Sequence, residues 1–285
     1  MAPPTHVPRK RFGQNFLVSA GIVARIIDAI APAPGDRLVE IGPGQGALTQ
    51  PLLERLPVLD VVEIDRDLAA GLRARFAPER LRVHEGDALA FDFCSLGTDL
   101  RVVGNLPYNI SSPLLFHLAA QSACLRDCHF MLQREVVERM AAQPGSRTYG
   151  RLSVMLQYRF GVEKLLRVPP GAFLPVPQVE SAFARLVPHR PLPHPAQDER
   201  CFATLVAQAF SQRRKTLRNA LRDLLSQEQI RAAGIEPSLR PEMLSVGEFV
   251  RLADLSAGGP GNPLAAKPAK AGEEERGVGH PGDRQ

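Results

Sequence analysis

The stretch "VEIGPGQGALT", residues 39–49, decides how the chain folds. An aliphatic run that ends in glycines and restarts at Ala47 reads as a strand, a tight turn and a helix start. Glycine accepts φ > 0 and lets a ligand approach the backbone closely, so the turn has the character of a binding loop. By itself Gly-x-Gly-x-Gly is a weak signal. Gly42-x-Gly44-x-x-Ala47 also satisfies a loose dinucleotide fingerprint, which leaves a nicotinamide cofactor open at this point.

The same alternation extends on both sides. Before the loop, "GIVARIIDAIAP" (21–32) has helical spacing and stops at proline. After it come "LDVVEID" (59–65), "LRVHEGD" (81–87), "LRVVGNL" (100–106) and "CHFMLQ" (128–133) as strands. Helix-like segments at 46–56, 66–76 and 112–121 separate them, and "YGRLSVMLQYRF" (149–160) is a further helix. Two late strands, 162–170 and 179–188, are expected to pair antiparallel at one edge. With "RLVEIG" (37–42) this predicts an α/β fold, a doubly wound, mainly parallel seven-stranded sheet with helices on both faces. The Pro-rich run 189–200 reads as a linker between a domain over 1–188 and a small all-α domain over 201–255, in which 201–225 and 246–255 read as helical. The Gly-, Pro- and charge-rich tail 256–285 is expected to be disordered.

The 285 residues, 44% of them hydrophobic, suffice for a full core. A net charge of +5 permits a polyanionic partner without requiring one. Four cysteines are too few for a disulfide scaffold of this length, and no second ligand pair stands at zinc-site spacing beside Cys124 and Cys128. Reduced thiols, a cytoplasmic location and no resident metal are therefore expected. No apolar run approaches the length of a membrane span, and nothing marks an oligomer seam, so a monomer is expected.

The chemistry concentrates at the ends of successive strands, where ligands bind in open α/β sheets. Glu40 is an acid inside a strand, costly unless partnered; the positive sulfonium and amino group of S-adenosylmethionine would partner it. Glu63, about twenty residues beyond the glycines, can accept both ribose hydroxyls. Asp87 can accept from an adenine amine, although Asp is also a good helix N-cap. "VVGNLPYNISSP" (102–113) ends a strand in an amide, a rigid turn and an aromatic ring. The N6 amine of adenine is a poor nucleophile because its lone pair is delocalised. Two acceptors, the Asn105 side-chain oxygen and the Leu106 carbonyl, would favour the pyramidal geometry needed for attack on a sulfonium methyl. Pro107 fixes the turn and Tyr108 can stack on the base. No general base is needed before attack.

Taken together, "RKRFGQNFL" (9–17), "VEIGPGQGALT" (39–49), "VVEIDRDLA" (61–69), "GDAL" (86–89), "GNLPYNISSPLL" (104–115), "FLPVPQVESAFARL" (173–186) and "FSQRRKTLRNAL" (210–221) resemble the ribosomal RNA adenine dimethylase family over residues 9–255. The resemblance leans to its bacterial small-subunit branch and implies a Rossmann-like methyltransferase that uses S-adenosylmethionine. It implies that Asn15 and Leu17 close over the cofactor, that Gly42 approaches its methionine part, Glu63 its ribose and Asp87 its adenine, and that Asn105 lies between cofactor and target. Phe173 would be a second aromatic wall for the base, where sequence alone favours core or linker packing. The implied product is N6,N6-dimethyladenosine at two adjacent adenosines in the hairpin near the 3′ end of 16S rRNA, made within immature 30S subunits.

Arg213, Arg214, Lys215, Arg218 and Arg222 are expected on one helix, with Arg214, Arg218 and Arg222 sharing a face. Beside an adenine pocket, phosphate binding is the natural use of such a cluster and of Arg9, Lys10 and Arg11. Three other functions stay open: a large-subunit dimethylase of the macrolide-resistance type, a mainly non-catalytic small-subunit assembly factor, and, more distantly, an NAD oxidoreductase. The modified RNA would separate the first, rescue of assembly by a dead enzyme the second, and nicotinamide titration the third.

Overall fold

The computed structural model describes residues 14–212 and 214–257. In chain order the elements are β1 (Phe16–Leu17), α1 (Ala20–Ile30), β2 (Arg37–Ile41), α2 (Thr49–Arg55), β3 (Leu59–Glu63), α3 (Arg66–Arg75), β4 (Leu81–Glu85), β5 (Leu100–Asn105), α4 (Ser111–Ala120), β6 (Leu125–Gln133) and α5 (Arg134–Met140). They continue with α6 (Arg151–Arg159), β7 (Phe160–Val168), β8 (Phe173–Leu174), β9 (Ser181–Pro188), α7 (Glu199–Ser211), α8 (Leu217–Ala220), α9 (Gln227–Ala232) and α10 (Val246–Ala257).

Seven strands form one sheet in the order β4-β3-β2-β5-β6-β9-β7. The first five run parallel, while β9 and β7 are antiparallel to their neighbours, as the late pair of apolar runs predicts. The central strands are buried on both faces, which is why "LVEI" and "LRVVG" read as continuous apolar runs instead of alternating ones. Successive side chains still feed opposite layers. Val39, Ile41, Val102 and Phe130 pack under α4 to α6. Leu38, Val61, Val103 and Met131 pack against α1, α2 and α3.

A third core joins α7 to α10 with Tyr149, Val154 and Tyr158. Thus α6, which lies before the Pro-rich stretch, contributes to the helical core as well as to the sheet. No helix among the described residues is long and apolar enough to cross a membrane.

Three sequence expectations need correction. The helical segment expected over 201–225 breaks after Ser211. Thr216 is extended, and the N–H groups of Leu217 and Arg218 donate to Leu239 O (2.8 Å) and Pro237 O (3.1 Å). The break inserts Leu217 and Leu221 into the third core, both fully buried. Arg214, Arg218 and Arg222 therefore do not share a helix face: they lie in a turn, in α8 and beyond it. The cysteines are not all reduced either. Cys94 and Cys124 form a disulfide across 5.4 Å between α-carbons. Gln121 brings their two turns together, its side-chain oxygen accepting from Phe93 N and Cys94 N at 2.7 and 3.3 Å. Cys128 lies in β6 and is a buried free thiol. Ser256 and Ala257, read as the start of the tail, instead end α10; residues 1–13, 213 and 258–285, which include Arg9, Lys10, Arg11, Arg213 and the rest of the tail, lie outside the described residues.

Candidate active site

The strand order reverses at β2 and β5, whose carboxyl ends part to leave a crevice. A cavity of about 270 Å³ occupies it. Gly42 and Gly44 form its floor with φ of +64° and +57°, a conformation that other residues rarely adopt. Phe16 lies over Gly44, and a Cβ there would sit 3.0 Å from its ring. Gly104 has a different constraint. A Cβ on it would stand 2.6 Å from Ile41 O, so the close approach of β5 to β2 requires glycine just before Asn105.

Of the residues singled out in the sequence, Asn15, Leu17, Gly42, Glu63, Asp87, Asn105, Leu106 and Tyr108 all line this cavity. Glu63 ends β3 and is almost fully buried. Its two oxygens accept from Asp65 N (2.9 Å) and Gly44 N (3.1 Å), which leaves a lone pair on each for further donors. Burial raises its carboxyl pKa above the ordinary value despite those two bonds. Glu40 is more deeply enclosed. Burial pushes its carboxyl up to about 8, opposed by the Thr49 hydroxyl, which donates to it at 2.6 Å, and assisted by the negative charge of Glu63. Asp87 lies at the opposite rim. One of its oxygens accepts from Leu89 N at 2.9 Å, so it caps its own turn while lining the cavity.

The Asn105 amide is oriented by the N-terminal segment. Its Nδ2 donates to Asn15 O at 2.8 Å, which fixes which end of the amide is nitrogen and leaves Oδ1 as the available acceptor. The next two carbonyls differ. Pro107 O accepts from Ile110 N (3.2 Å) and Ser111 Oγ (3.0 Å), whereas the Leu106 carbonyl has no hydrogen-bond partner among the described residues. The acceptor pair expected from the sequence is therefore available. Tyr108 projects into a half-buried position, and its hydroxyl lies 2.7 Å from Ser181 Oγ.

Phe173 is not among the cavity residues. It is 2% exposed and packs in the core beside Leu17, its partner across the β1–β8 ribbon. Strand alternation sends the next residue, Leu174, outward. The second aromatic wall expected at Phe173 is thus a core side chain. Sequence reasoning in turn missed Thr49, Ser111 and Ser181. Thr49 and Ser181 are buried hydroxyls whose partners, Glu40 and Tyr108, lie on other elements, so spacing along the chain carries no signal for them; Ser111 instead donates to Pro107 O four residues back.

The sequence pattern describing ribosomal RNA adenine dimethylase matches residues 5–257. The chain belongs to the ribosomal RNA adenine dimethylase family. A protein of Laribacter hongkongensis named ribosomal RNA small subunit methyltransferase A is 60% identical over 251 residues, covering 87% of this chain and 96% of its own. One of the same name from Thiobacillus denitrificans is 61% identical over 244 residues, 86% of this chain and 96% of that protein. Among solved structures, a dimethyladenosine transferase from Plasmodium falciparum superposes with a TM-score of 0.70 at 26% identity, over 83% of this chain and 95% of its own. This dimethylase is an S-adenosylmethionine-dependent methyltransferase with the Rossmann-like fold, and the nicotinamide reading of the glycine loop falls away. The residues fit that cofactor: the carboxylates of Glu40 and Glu63 line the cavity as acceptors for a cationic, hydroxyl-bearing ligand, and the glycine floor keeps side chains out of it.

Proposed function

We propose that the chain methylates the N6 amines of two adjacent adenosines in the 3′-terminal hairpin of 16S rRNA, giving N6,N6-dimethyladenosine. The observation that carries this reading is the Asn105 amide, held by Asn15 O; its oxygen, like the Leu106 carbonyl, has no hydrogen-bond partner among the described residues, in the cavity lined also by Glu63 and Asp87. The target rests on the small-subunit names of the relatives about 60% identical to this chain. A large-subunit target has no comparable support.

When bound, S-adenosylmethionine supplies an electrophilic methyl on a sulfonium. The chain's own residues do the rest. Glu63 holds the ribose, Asp87 accepts from the cofactor's adenine amine, and Gly42 lets the methionine end lie against backbone. Asn15 and Leu17 close the entrance. Asn105 Oδ1 and Leu106 O accept the two N–H bonds of the target amine. This favours the pyramidal nitrogen and stabilises the charge that develops on it. Tyr108 stacks on the base, with such contacts worth about 1–3 kcal/mol, which offsets the few kcal/mol needed to unstack an adenine. Catalysis is positioning and electrostatics, with the proton lost from the N-methylated product to solvent.

Arg214, Lys215, Arg218 and Arg222 are exposed around α8 and are proposed to contact RNA phosphates. Arg222 also stands 3.6 Å from Asp223, which tempers its charge. The substrate proposed is the immature small subunit in the cytoplasm, met by a monomer of this chain. The test is incubation with methyl-labelled S-adenosylmethionine and small subunits lacking the modification, with large subunits in parallel. Dimethyladenosine in small-subunit RNA is expected for the wild type. Asn105→Ala is expected to abolish transfer while cofactor binding survives. Label confined to large-subunit RNA would overturn the target, and wild-type turnover by Asn105→Ala would overturn the mechanism.

A further inference from the structure

Ser181 opens β9 and is fully buried. It pairs with Gln133 at the end of β6 and with Val168 at the end of β7. Because β9 runs against the parallel strands, its first residue lies at the edge of the sheet where β5 and β6 end. Tyr108 follows β5 in the single helical turn Tyr108–Ile110. The 2.7 Å contact between the two hydroxyls therefore passes over the carboxyl end of β6 and ties the Asn-Leu-Pro-Tyr turn to the reversed strand.

A tyrosine ring is otherwise held at one end only. Rotation about χ1 sweeps the ring sideways, whereas rotation about χ2 turns it about the axis through its hydroxyl. A bond at the hydroxyl pins the far end of that axis and stops the sweep. We infer that Ser181 is a positioning residue for methyl transfer, which holds the Tyr108 ring in register with Asn105 Oδ1 and Leu106 O so that a stacked adenine presents its amine to both acceptors. This rests on the reading of Tyr108 as the stacking ring. Ser181 does not itself line the cavity; it acts through Tyr108, which does.

The experiment measures steady-state transfer to unmodified small subunits by wild type, Ser181→Ala, Tyr108→Phe and the double variant, together with S-adenosylmethionine titration of each. Losing one such hydrogen bond is expected to lower kcat by about three- to tenfold. KM for subunits and cofactor Kd are expected to stay within about twofold, because the tie orients the base and contributes little to holding either substrate. Tyr108→Phe keeps the ring and breaks the same tie from the half-buried side, so it carries the test if Ser181→Ala folds poorly. The double variant is expected to be no slower than either single one, since each removes the same bond. Wild-type kcat in the single variants, or losses that multiply in the double, would overturn the role of Ser181 while leaving the methyltransferase reading intact. Absence of transfer by the wild type would instead overturn that reading, and this inference with it.

Discussion

Replacing Gly104 with alanine tests whether the approach of β5 to β2 sets the geometry of the site. The added Cβ would lie 2.6 Å from Ile41 O and 3.1 Å from Leu106 Cδ2. The first contact is with backbone at the centre of a parallel sheet, so it cannot be relieved by a rotamer change. The shortfall from the 3.0 Å that Cβ atoms respect is about 0.4 Å, and β5 must move away from β2 by at least that much. Overpacking of this kind costs about 1–3 kcal/mol. For a chain of this size each kcal/mol lowers the melting temperature by roughly 2–4 °C, so a fall of roughly 2–12 °C is expected. The consequence for function is larger in proportion. Asn105 is the next residue and Leu106 the one after, so both acceptors shift with the strand. Displacements of 1 Å can cost about a hundredfold in rate, and one of a few tenths of an ångström is expected to cost about tenfold. Thermal unfolding and methyl incorporation at saturating cofactor would be measured on the same preparation. A melting temperature within about 1 °C and a rate within about twofold of wild type would show that contact between β2 and β5 does not set the acceptor geometry.

Two further perturbations address the acids of the cavity. In Glu63→Gln either orientation of the amide turns its NH₂ toward the N–H of Gly44 or Asp65, and one charge-assisted acceptor is lost. Cofactor affinity measured by calorimetry is expected to weaken by about 1.5–3 kcal/mol, roughly ten- to 150-fold, and a Kd within threefold of wild type would argue against ribose binding at Glu63. Glu40 holds its proton up to about pH 8 when folded, whereas the unfolded carboxyl releases it near 4.5. Between those values the folded state binds the extra proton, so this group's contribution to stability declines as pH rises and is gone above about 8. Glu40→Gln is neutral throughout, so melting curves of the unliganded proteins are expected to coincide near pH 4.5 and to separate in favour of the variant toward pH 8. Parallel curves would mean that Glu40 is not buried in the protonated form.

Much of this protein is legible along the chain. Apolar runs ending in "GPG", "EID" and "GNLPY" identify strands buried on both faces, the more polar edge strand before "GDA" continues the series, and each places a chemical group at its end, because a residue's position at a strand end is a local property. The glycine loop, Glu63, Asp87 and the Asn105–Tyr108 turn were all readable for this reason. Only the tertiary structure decides what depends on contacts between distant segments. The helical segment expected over 201–225 breaks because residues 237–239 receive the N–H groups of Leu217 and Arg218. Cys94 and Cys124 meet because Gln121 joins two turns. Phe173 turns into the core because its ribbon partner is Leu17. Asn15 O selects the acceptor face of Asn105, and Ser181 reaches Tyr108 only because β9 enters the sheet reversed. Local pattern determines which elements form and what chemistry stands at their ends; the pairing of remote strands and side chains determines the direction in which that chemistry points.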